Sequence, residues 1–537
     1  MKNTTQIHVS HAQIILGIDL GTSGIRAAIV KRPFLQNKEE NRFPEQGLDQ
    51  ILFTDSVPFT ANNLGATASL RIDQSDCKPQ SLSENASVQD PMVWIAALEQ
   101  LLKQLSMRFD LAKIDAIICD ATSSTVMLTD DQGTLLSNAL MYNDAQAISA
   151  ASIIKEVPVE QQTAANGASS SLAKTLYLSQ LIDSAKPKLV VHQIDWLNNY
   201  FCDFLKDGIC YSDQNNLLKF GYDPVSGQYP DWLQNMTREY APNIILPVVG
   251  VPGEALAPIT GNMQTTWGFS QNCRVLYGTT DSIAGFFASG AQKKNDAVSS
   301  LGSTLAIKQL INVPIFNTES GLYSHKVKDL WLLGGASNGG GKVLLDYYVL
   351  PQIIWMDHFL QALWRLQNLE GKRDWLIHFP VLHDCHNLGD YYALSSIGER
   401  FPIQDSQMVA ILETRPSQSL QSINLENFPI KHFSEVLSSR ELSEALKQCF
   451  ADNLEIILQS AQHFASIVQG LVQIEKKSFE LLSKQTGDGK TANLYTVGGG
   501  SKNRYWQLLR QVHLENCLQS AFSLDAAYGV TRLANFS

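Results

Sequence analysis

Ile14-Ile15-Leu16-Gly17-Ile18-Asp19-Leu20-Gly21-Thr22-Ser23-Gly24-Ile25-Arg26-Ala27-Ala28-Ile29-Val30 is the stretch on which the reading of this chain turns. Two apolar, β-branched runs flank a turn holding Asp19, Gly21, Thr22 and Gly24, a spacing that predicts a β-hairpin. The tip of such a hairpin exposes backbone N–H groups, a hydroxyl and one carboxylate. Glycines let the main chain approach an anion closely, and successive N–H groups in a turn form a phosphate-holding concavity. The Asp19 carboxylate suits a phosphate only if a divalent cation sits between them. An Asp-x-Gly-Thr turn can also be a hairpin turn and nothing more. A second copy raises its weight. Residues 297–307 repeat the plan of strand, Gly-hydroxyl-hydroxyl turn and strand, with Gly302, Ser303 and Thr304 at the tip. Two such turns roughly half a chain apart predict two similar domains facing one polyphosphate.

A chain of 537 residues has room for two domains or more. Its formal charge of −11, with no long basic run, argues against nucleic acid as the main partner. Met1 to Gln13 is polar and lacks the apolar core of a secretory signal. No apolar run reaches the ~18 residues of a membrane span. The eight cysteines show no Cys-x-x-Cys pair and no zinc spacing, so they read as reduced thiols of a cytoplasmic protein. Cys119, inside a strand-like run, reads as core rather than nucleophile.

Working outward, Ile51–Val57 is a strand candidate, and Asp90-Pro91 opens a helix through Trp94, Leu98, Leu101 and Leu102. Ile114–Cys119 reads as a buried strand running into Asp120-Ala121-Thr122-Ser123-Ser124. That loop is rich in hydroxyls and lies at a strand's C-terminal end, where open α/β sheets place ligand groups. Thr125–Leu128 and Leu135–Tyr142 suggest a further hairpin, and Ala145 to Asn272 reads as mostly helical. Within it, Asp195-Trp196-Leu197 and Ser212-Asp213 with Asn215 and Asn216 serve equally well as caps or as functional clusters. Asp281 follows Gly278-Thr279-Thr280 at the mouth of an apolar helix, Ser282–Ser289. A carboxylate there is an N-cap or a general base held at the tip of a rigid element. After a long helical pattern from Asn453 to Lys484, the strand Leu494–Val497 leads into Gly498-Gly499-Gly500-Ser501-Lys502-Asn503 and a helix. Such a place lets backbone lie flat against a nucleotide, although glycine turns of structural use are common. Asp525–Phe536 reads as a closing helix. Ser417 to Cys449 is the least readable stretch and is expected to be a surface elaboration.

Glycine-hydroxyl turns in this order, with Asp281 among them, resemble the FGGY carbohydrate kinases of the actin/hexokinase-like ATPase superfamily. The resemblance runs over nearly the whole chain. It includes Gln89-Asp90-Pro91 with Trp94, Tyr142-Asn143-Asp144, Gly334-Gly335-Ala336-Ser337-Asn338, Gly398-Glu399-Arg400-Phe401-Pro402 and Ala526-Ala527-Tyr528-Gly529. The Gly-Thr-Thr-Asp-Ser and Gly-Gly-Ala-Ser-Asn forms are similar to the ribulose- and xylulose-kinase-like group of cyanobacteria and plants. The resemblance implies an α/β chain of two ribonuclease-H-like domains with a cleft between them. They would be an N-terminal domain over 1–285, mainly sugar-binding, and a C-terminal domain over 286–537, mainly nucleotide-binding, with the elaboration at 417–449. It implies ATP and Mg²⁺ as cofactors, Asp281 as catalytic base, and Asp19 as metal ligand and sugar orienter. Gly21, Thr22, Gly302, Ser303 and Thr304 would line the phosphates, and Gly499, Gly500, Asn503 and Trp506 the adenosine. Ser123 and Ser124 are candidates for sugar hydroxyls, and the implied acceptor is a free ketopentose, D-ribulose before D-xylulose. Gln146 stands where the family commonly has Arg, and Asp525 where Glu is usual. Two other classes stay open. An actin- or chaperone-like ATPase would turn over ATP without sugar, and a silent sugar-binding protein would lack one phosphate turn.

Overall fold

Ala12–Leu20 (β1) and Gly24–Pro33 (β2) pair antiparallel with Asp19 opposite Arg26, so the opening stretch is the hairpin its sequence predicts. The computed structural model describes residues 12–33, 49–59, 86–157, 164–182, 186–370, 387–416, 420, 423–487, 491–514 and 518–535. They divide into two units. The first runs to Gln292 and takes in His325–Trp331 and the chain from Phe522; the second comprises Lys293–Ser324 and Leu332–Ala521.

In the first unit Gln50–Pro58 (β3) continues the antiparallel meander beside β2. The helix Pro91–Ser106 (α1) begins where Asp90 accepts the Met92 N–H at 2.9 Å, with proline at the position that needs no donor. Its buried residues Trp94, Leu98, Leu101, Leu102 and Leu105 recur at helical spacing and join the core of the β1–β2–β3 layer. Ala116–Ala121 (β4) is buried along its whole length and pairs parallel with β1. Val126–Asp130 (β5) belongs to a second, five-stranded sheet and pairs antiparallel there with Lys188–His192 (β6). Between them runs the helix Ser171–Leu181 (α2), and after β6 the helix Gln193–Cys202 (α3). Ala255–Pro258 (β7) and Arg274–Thr280 (β8) complete the main sheet, and Asp281–Ala288 (α4) follows directly. The strand order is β7-β8-β4-β1-β2-β3.

The second unit repeats this plan. Ala297–Leu301 (β9) and Leu305–Ile311 (β10) form its antiparallel hairpin. Tyr323–Val327 (β11) and Leu330–Ala336 (β12) extend its sheet, although His325–Trp331 within them is grouped with the first unit. Leu350–Glu370 (α5), Ser439–Phe450 (α6) and Leu454–Thr486 (α7) supply a helical layer. Leu494–Val497 (β13), Arg504–His513 (α8) and Leu518–Ser520 (β14) close it. The order is β11-β12-β10-β9-β13-β14; with the edge strands β11 and β7 set aside, β12-β10-β9-β13-β14 matches β3-β2-β1-β4-β8 of the first unit. This is the ribonuclease-H-like arrangement, occurring twice.

The chain then returns to the first unit with Ala526–Thr531 (α9). The helix lies so close to β1 that a Cβ at Gly17 would stand 1.9 Å from the Ala527 carbonyl oxygen, and one at Gly529 would stand 1.9 Å from that of Ala284. Only glycine permits such approach. Buried Asp49 locks the contact, accepting two 2.8 Å hydrogen bonds from Arg32 and one of 3.2 Å from Arg532.

Four expectations are corrected. Leu135–Tyr142 contains only the two-residue strand Ala139–Leu140, and the closing helix is six residues rather than Asp525–Phe536. Ala145–Asn272 carries strands as well as helices, because short β-branched runs such as Leu189-Val190-Val191 cannot be told from helix by period alone. The described part of Ser417–Cys449 is no surface elaboration. Phe428, Phe433, Val436, Leu442 and Leu446 are buried in the core with α5 and α7. Residues 417–419 and 421–422 lie outside the described residues.

Candidate active site

Register builds the site in the first unit. Asp19 at the end of β1 pairs with Asp120 of β4, which pairs in turn with Thr279 of β8. Three strands therefore end level, and the chain following β8 places Asp281 at the first position of α4. A cavity of about 580 Å³ opens there, lined by Asp19, Gly21, Thr22, Arg26, Thr122, Tyr142 and Asp281 among others. The helix cap is Thr280, not Asp281. The Asp281 carboxylate accepts the Ser282 N–H at 2.6 Å and stays at the cavity wall.

The turn at Gly21-Thr22 is held from behind. Gln89 donates from Nε2 to the Thr22 carbonyl at 3.1 Å and accepts from the Trp94 indole at 2.8 Å. This explains why Gln89, Asp90, Pro91 and Trp94 occur together: one helix start both caps itself and braces the hairpin tip. Asp19 is only 6 % exposed. Burial lifts its pKa to about 6, against the pull of Arg26, while the charges of Asp281 and Asp525 push it further up. Asp120 is wholly buried, and neither carboxylate oxygen has a hydrogen-bond partner. Burial, then the neighbouring charges of Asp19 and Asp281, raise its pKa well above the carboxylate range. Asp525 caps α9 through the Ala527 N–H at 3.1 Å, a task its short side chain suits.

The other motifs support this wall. Asp144 is buried and accepts the Ser87 N–H and the Gln146 side-chain amide, each at 2.7 Å. Gln146 thus keeps a donor to Asp144 where an arginine would have brought a charge. Asp213 gathers the N–H groups of Asn215 and Asn216, and the Asn215 amide donates to the Thr279 hydroxyl at 3.2 Å, next to Asp281. Asp195 is a cap, accepting the His192 N–H at 2.8 Å. Ser123 and Ser124 lie behind the cavity rather than on its wall, which is Thr122's. Both hydroxyls are buried without a hydrogen-bond partner, and Ser124 has φ of 67°.

The remaining predicted residues gather in the second unit. Ser303 and Thr304 are exposed at the β9–β10 turn. The Gly339-Gly340-Gly341 segment clasps that turn. Gly341 donates to the Gly302 carbonyl at 2.8 Å, and a Cβ at Gly340 would come within 2.3 Å of the Ser303 carbonyl. Glu399 fixes the segment by accepting the Ser337 hydroxyl at 2.5 Å and the Asn338 N–H at 2.9 Å. Beside the turn, Gly498 lies against Leu301 with φ of 90°, whereas a Cβ at Gly499 would meet nothing. Asn503 caps α8 at the Trp506 N–H, leaving its own buried Nδ2 without a partner. Trp506 departs from expectation. Its ring is fully buried under Gly500, so it supports the turn and presents no face to a nucleotide.

The sequence motifs pass over Asp120 and Lys174. A carboxylate closing an apolar strand was a visible signal for Asp120. Lys174, fully buried on α2, offered none.

No known protein-family profile matches the chain. Solved structures with the same fold do. A ligand-bound xylulose kinase from Lactobacillus acidophilus aligns with a TM-score of 0.64 at 16 % identity, over 97 % of this chain and 89 % of that one. A gluconate kinase from the same organism gives 0.64 at 15 % identity, over 98 % and 89 %. Plasmodium falciparum glycerol kinase with ADP gives 0.62 at 13 %, over 97 % and 89 %. The chain therefore has the two-domain actin/hexokinase-like fold of these sugar kinases.

Proposed function

We propose that this chain is an ATP-dependent carbohydrate kinase that phosphorylates a hydroxyl of a free ketopentose, D-ribulose ahead of D-xylulose. The observation that carries the reading is a cavity lined by both Asp19 and Asp281 at level strand ends. Phosphoryl transfer asks little covalent chemistry of a protein; it needs positioning, charge neutralisation and a route for the hydroxyl proton. Asp281 accepts that proton as the acceptor oxygen attacks. Each unit carries a glycine-hydroxyl turn suited to phosphate oxygens: Gly21 and Thr22 in the first, Gly302, Ser303 and Thr304 in the second. Gly499, Gly500 and Asn503 take the nucleoside side, where open space and an unpartnered amide favour a ligand.

The donor chemistry fits Mg²⁺. Asp19 offers a carboxylate at the cavity wall, and Asp120, its neighbour in the sheet, has two carboxylate oxygens without a hydrogen-bond partner. Magnesium typically takes one or two carboxylates and keeps several waters. Among the described residues no group of three or more His, Cys, Asp or Glu is arranged to hold a metal, in keeping with so sparse a protein share. When bound with ATP, Mg²⁺ would supply neutralisation of phosphate charge.

An unphosphorylated acceptor is favoured because Arg26 is the sole cation among the described residues lining the cavity, and it is paired with Asp19 at 3.5 Å. D-xylulose is the second reading, since xylulose kinases are among the structures of like fold. An ATP-coupled screen of ketopentoses, aldoses and polyols tests both. Greatest kcat/KM outside the ketopentoses overturns the substrate. ATP turnover equal with and without every sugar overturns the kinase in favour of an actin-like ATPase.

A further inference from the structure

We infer that Lys174 is a positioning residue for the acceptor side of the site, stapling the Thr122–Thr125 turn to the Met141–Tyr142 segment through their main-chain carbonyls. This rests on the kinase reading above for what occupies the cavity, but not for the staple itself. The Lys174 ammonium donates to the Ser124 carbonyl at 3.0 Å and to the Met141 carbonyl at 2.5 Å. The two acceptors are 17 residues apart in the chain and sit next to cavity-lining residues, Thr122 on one side and Tyr142 on the other.

Three features argue that the lysine is kept for more than packing. It is wholly buried on α2, and among the described residues no carboxylate pairs with it directly. Burying an ammonium so is costly. Burial accordingly draws its pKa down to about 7, with Asp144 drawing it back up and Lys219 adding to the fall. Second, the turn it holds is strained, Ser124 having φ of 67° without being glycine, asparagine or aspartate. Third, only two of the turn's four hydroxyls help to hold it. Ser123 Oγ and Ser124 Oγ are buried and unpartnered, while Thr122 Oγ1 bonds Gln193 and Thr125. A cation reaching in from a helix fixes the main chain, and the two unspent hydroxyls lie buried behind the Thr122 wall of the cavity. A purely structural turn would satisfy those hydroxyls internally.

The test compares Lys174→Met, which keeps length and loses the donor, with Lys174→Gln, which keeps a shorter donor. The readouts are KM for D-ribulose and D-xylulose, KM for ATP, and hydrogen exchange across the chain. Loss of even one charge-assisted hydrogen bond is worth on the order of tenfold. Acceptor KM should therefore rise about tenfold or more in Lys174→Met and less in Lys174→Gln. KM for ATP should hold within about twofold, and faster exchange should be confined to 122–126 and 141–143. Equal acceptor KM in Lys174→Met and the unmodified protein overturns the positioning role, as does a rise in both KM values together. Should the unmodified protein phosphorylate no sugar, the kinase reading fails, and exchange still decides the staple: unchanged protection of both segments in the two variants overturns it. If Lys174→Met does not fold, Lys174→Gln carries the same comparison.

Discussion

Replacing Asp281 by Asn removes one proton-accepting oxygen and alters little else. The Asn Oδ1 still accepts the Ser282 N–H that Asp281 now accepts at 2.6 Å, and the side chain still stands at the first turn of α4. The Asn215–Thr279 bond beside it is untouched. What is lost is the base. A positioned general base contributes roughly a hundredfold or more, and each tenfold is about 1.4 kcal/mol of barrier. Turnover in Asp281→Asn should thus fall about a hundredfold or more, a barrier rise of about 3 kcal/mol or more. ATP binding should persist, since the glycine turns that hold the phosphates in this reading belong to other elements. The assay is steady-state phosphorylation of the best ketopentose from the screen, beside calorimetric titration with ATP and Mg²⁺. Turnover within about fivefold of the unmodified protein, well short of the loss expected of a base, would refute the reasoning and move the base to another carboxylate.

Asp19→Asn should lower turnover with a marked rise in the Mg²⁺ concentration needed for half-activity, a shift absent from Asp281→Asn; titrating Mg²⁺ against both variants checks this. Gly340→Ala sets a methyl against the Ser303 carbonyl at 2.3 Å, so KM for ATP should rise while KM for the sugar holds. Gly17→Ala drives a methyl into the Ala527 carbonyl; overpacking of this kind costs ~1–3 kcal/mol, and hydrogen exchange should show α9 loosened first. His463 in the second unit has its pKa drawn to about 4 from 6.5 by burial, then by Arg415. The unfolded chain therefore binds the extra proton as pH falls from 6.5 to 4, and stability present above that window is lost on descending through it. His463→Gln should remove about 2 kcal/mol of the stability difference between pH 7 and pH 4.5, measured by denaturant melts.

What the sequence made legible was local. Each glycine-hydroxyl turn carries its signal in four residues, and the second copy at Gly302 is enough to announce a duplicated plan. Asp281 was readable because a strand, a turn and a helix start are contiguous there. The parts that escaped depend on pairing across distance. Asp120 matters because β4 meets β1 in one register, and a shift of one residue would turn its side chain to the other face. Lys174 acquires its role only when α2 brings it to two carbonyls far away in sequence. Trp506, which the family resemblance places at the nucleotide, is pointed inward by the turn of helix after Asn503. In 417–449 the apolar residues Phe428, Phe433 and Leu442 follow no single period because they fill gaps among helices drawn from elsewhere.

The seat of α9 against β1 has a bearing on how the protein is made. Domains of a growing chain tend to fold in the order they emerge from the ribosome. Here β1 is covered by α9, with the entire second unit synthesised in between. The second unit can complete its own sheet as soon as β14 has emerged. The first cannot; the part of its sheet at β1 that α9 covers must wait until the second unit has been made. A gene rearranged so that 522–535 precede β1 would abolish the wait.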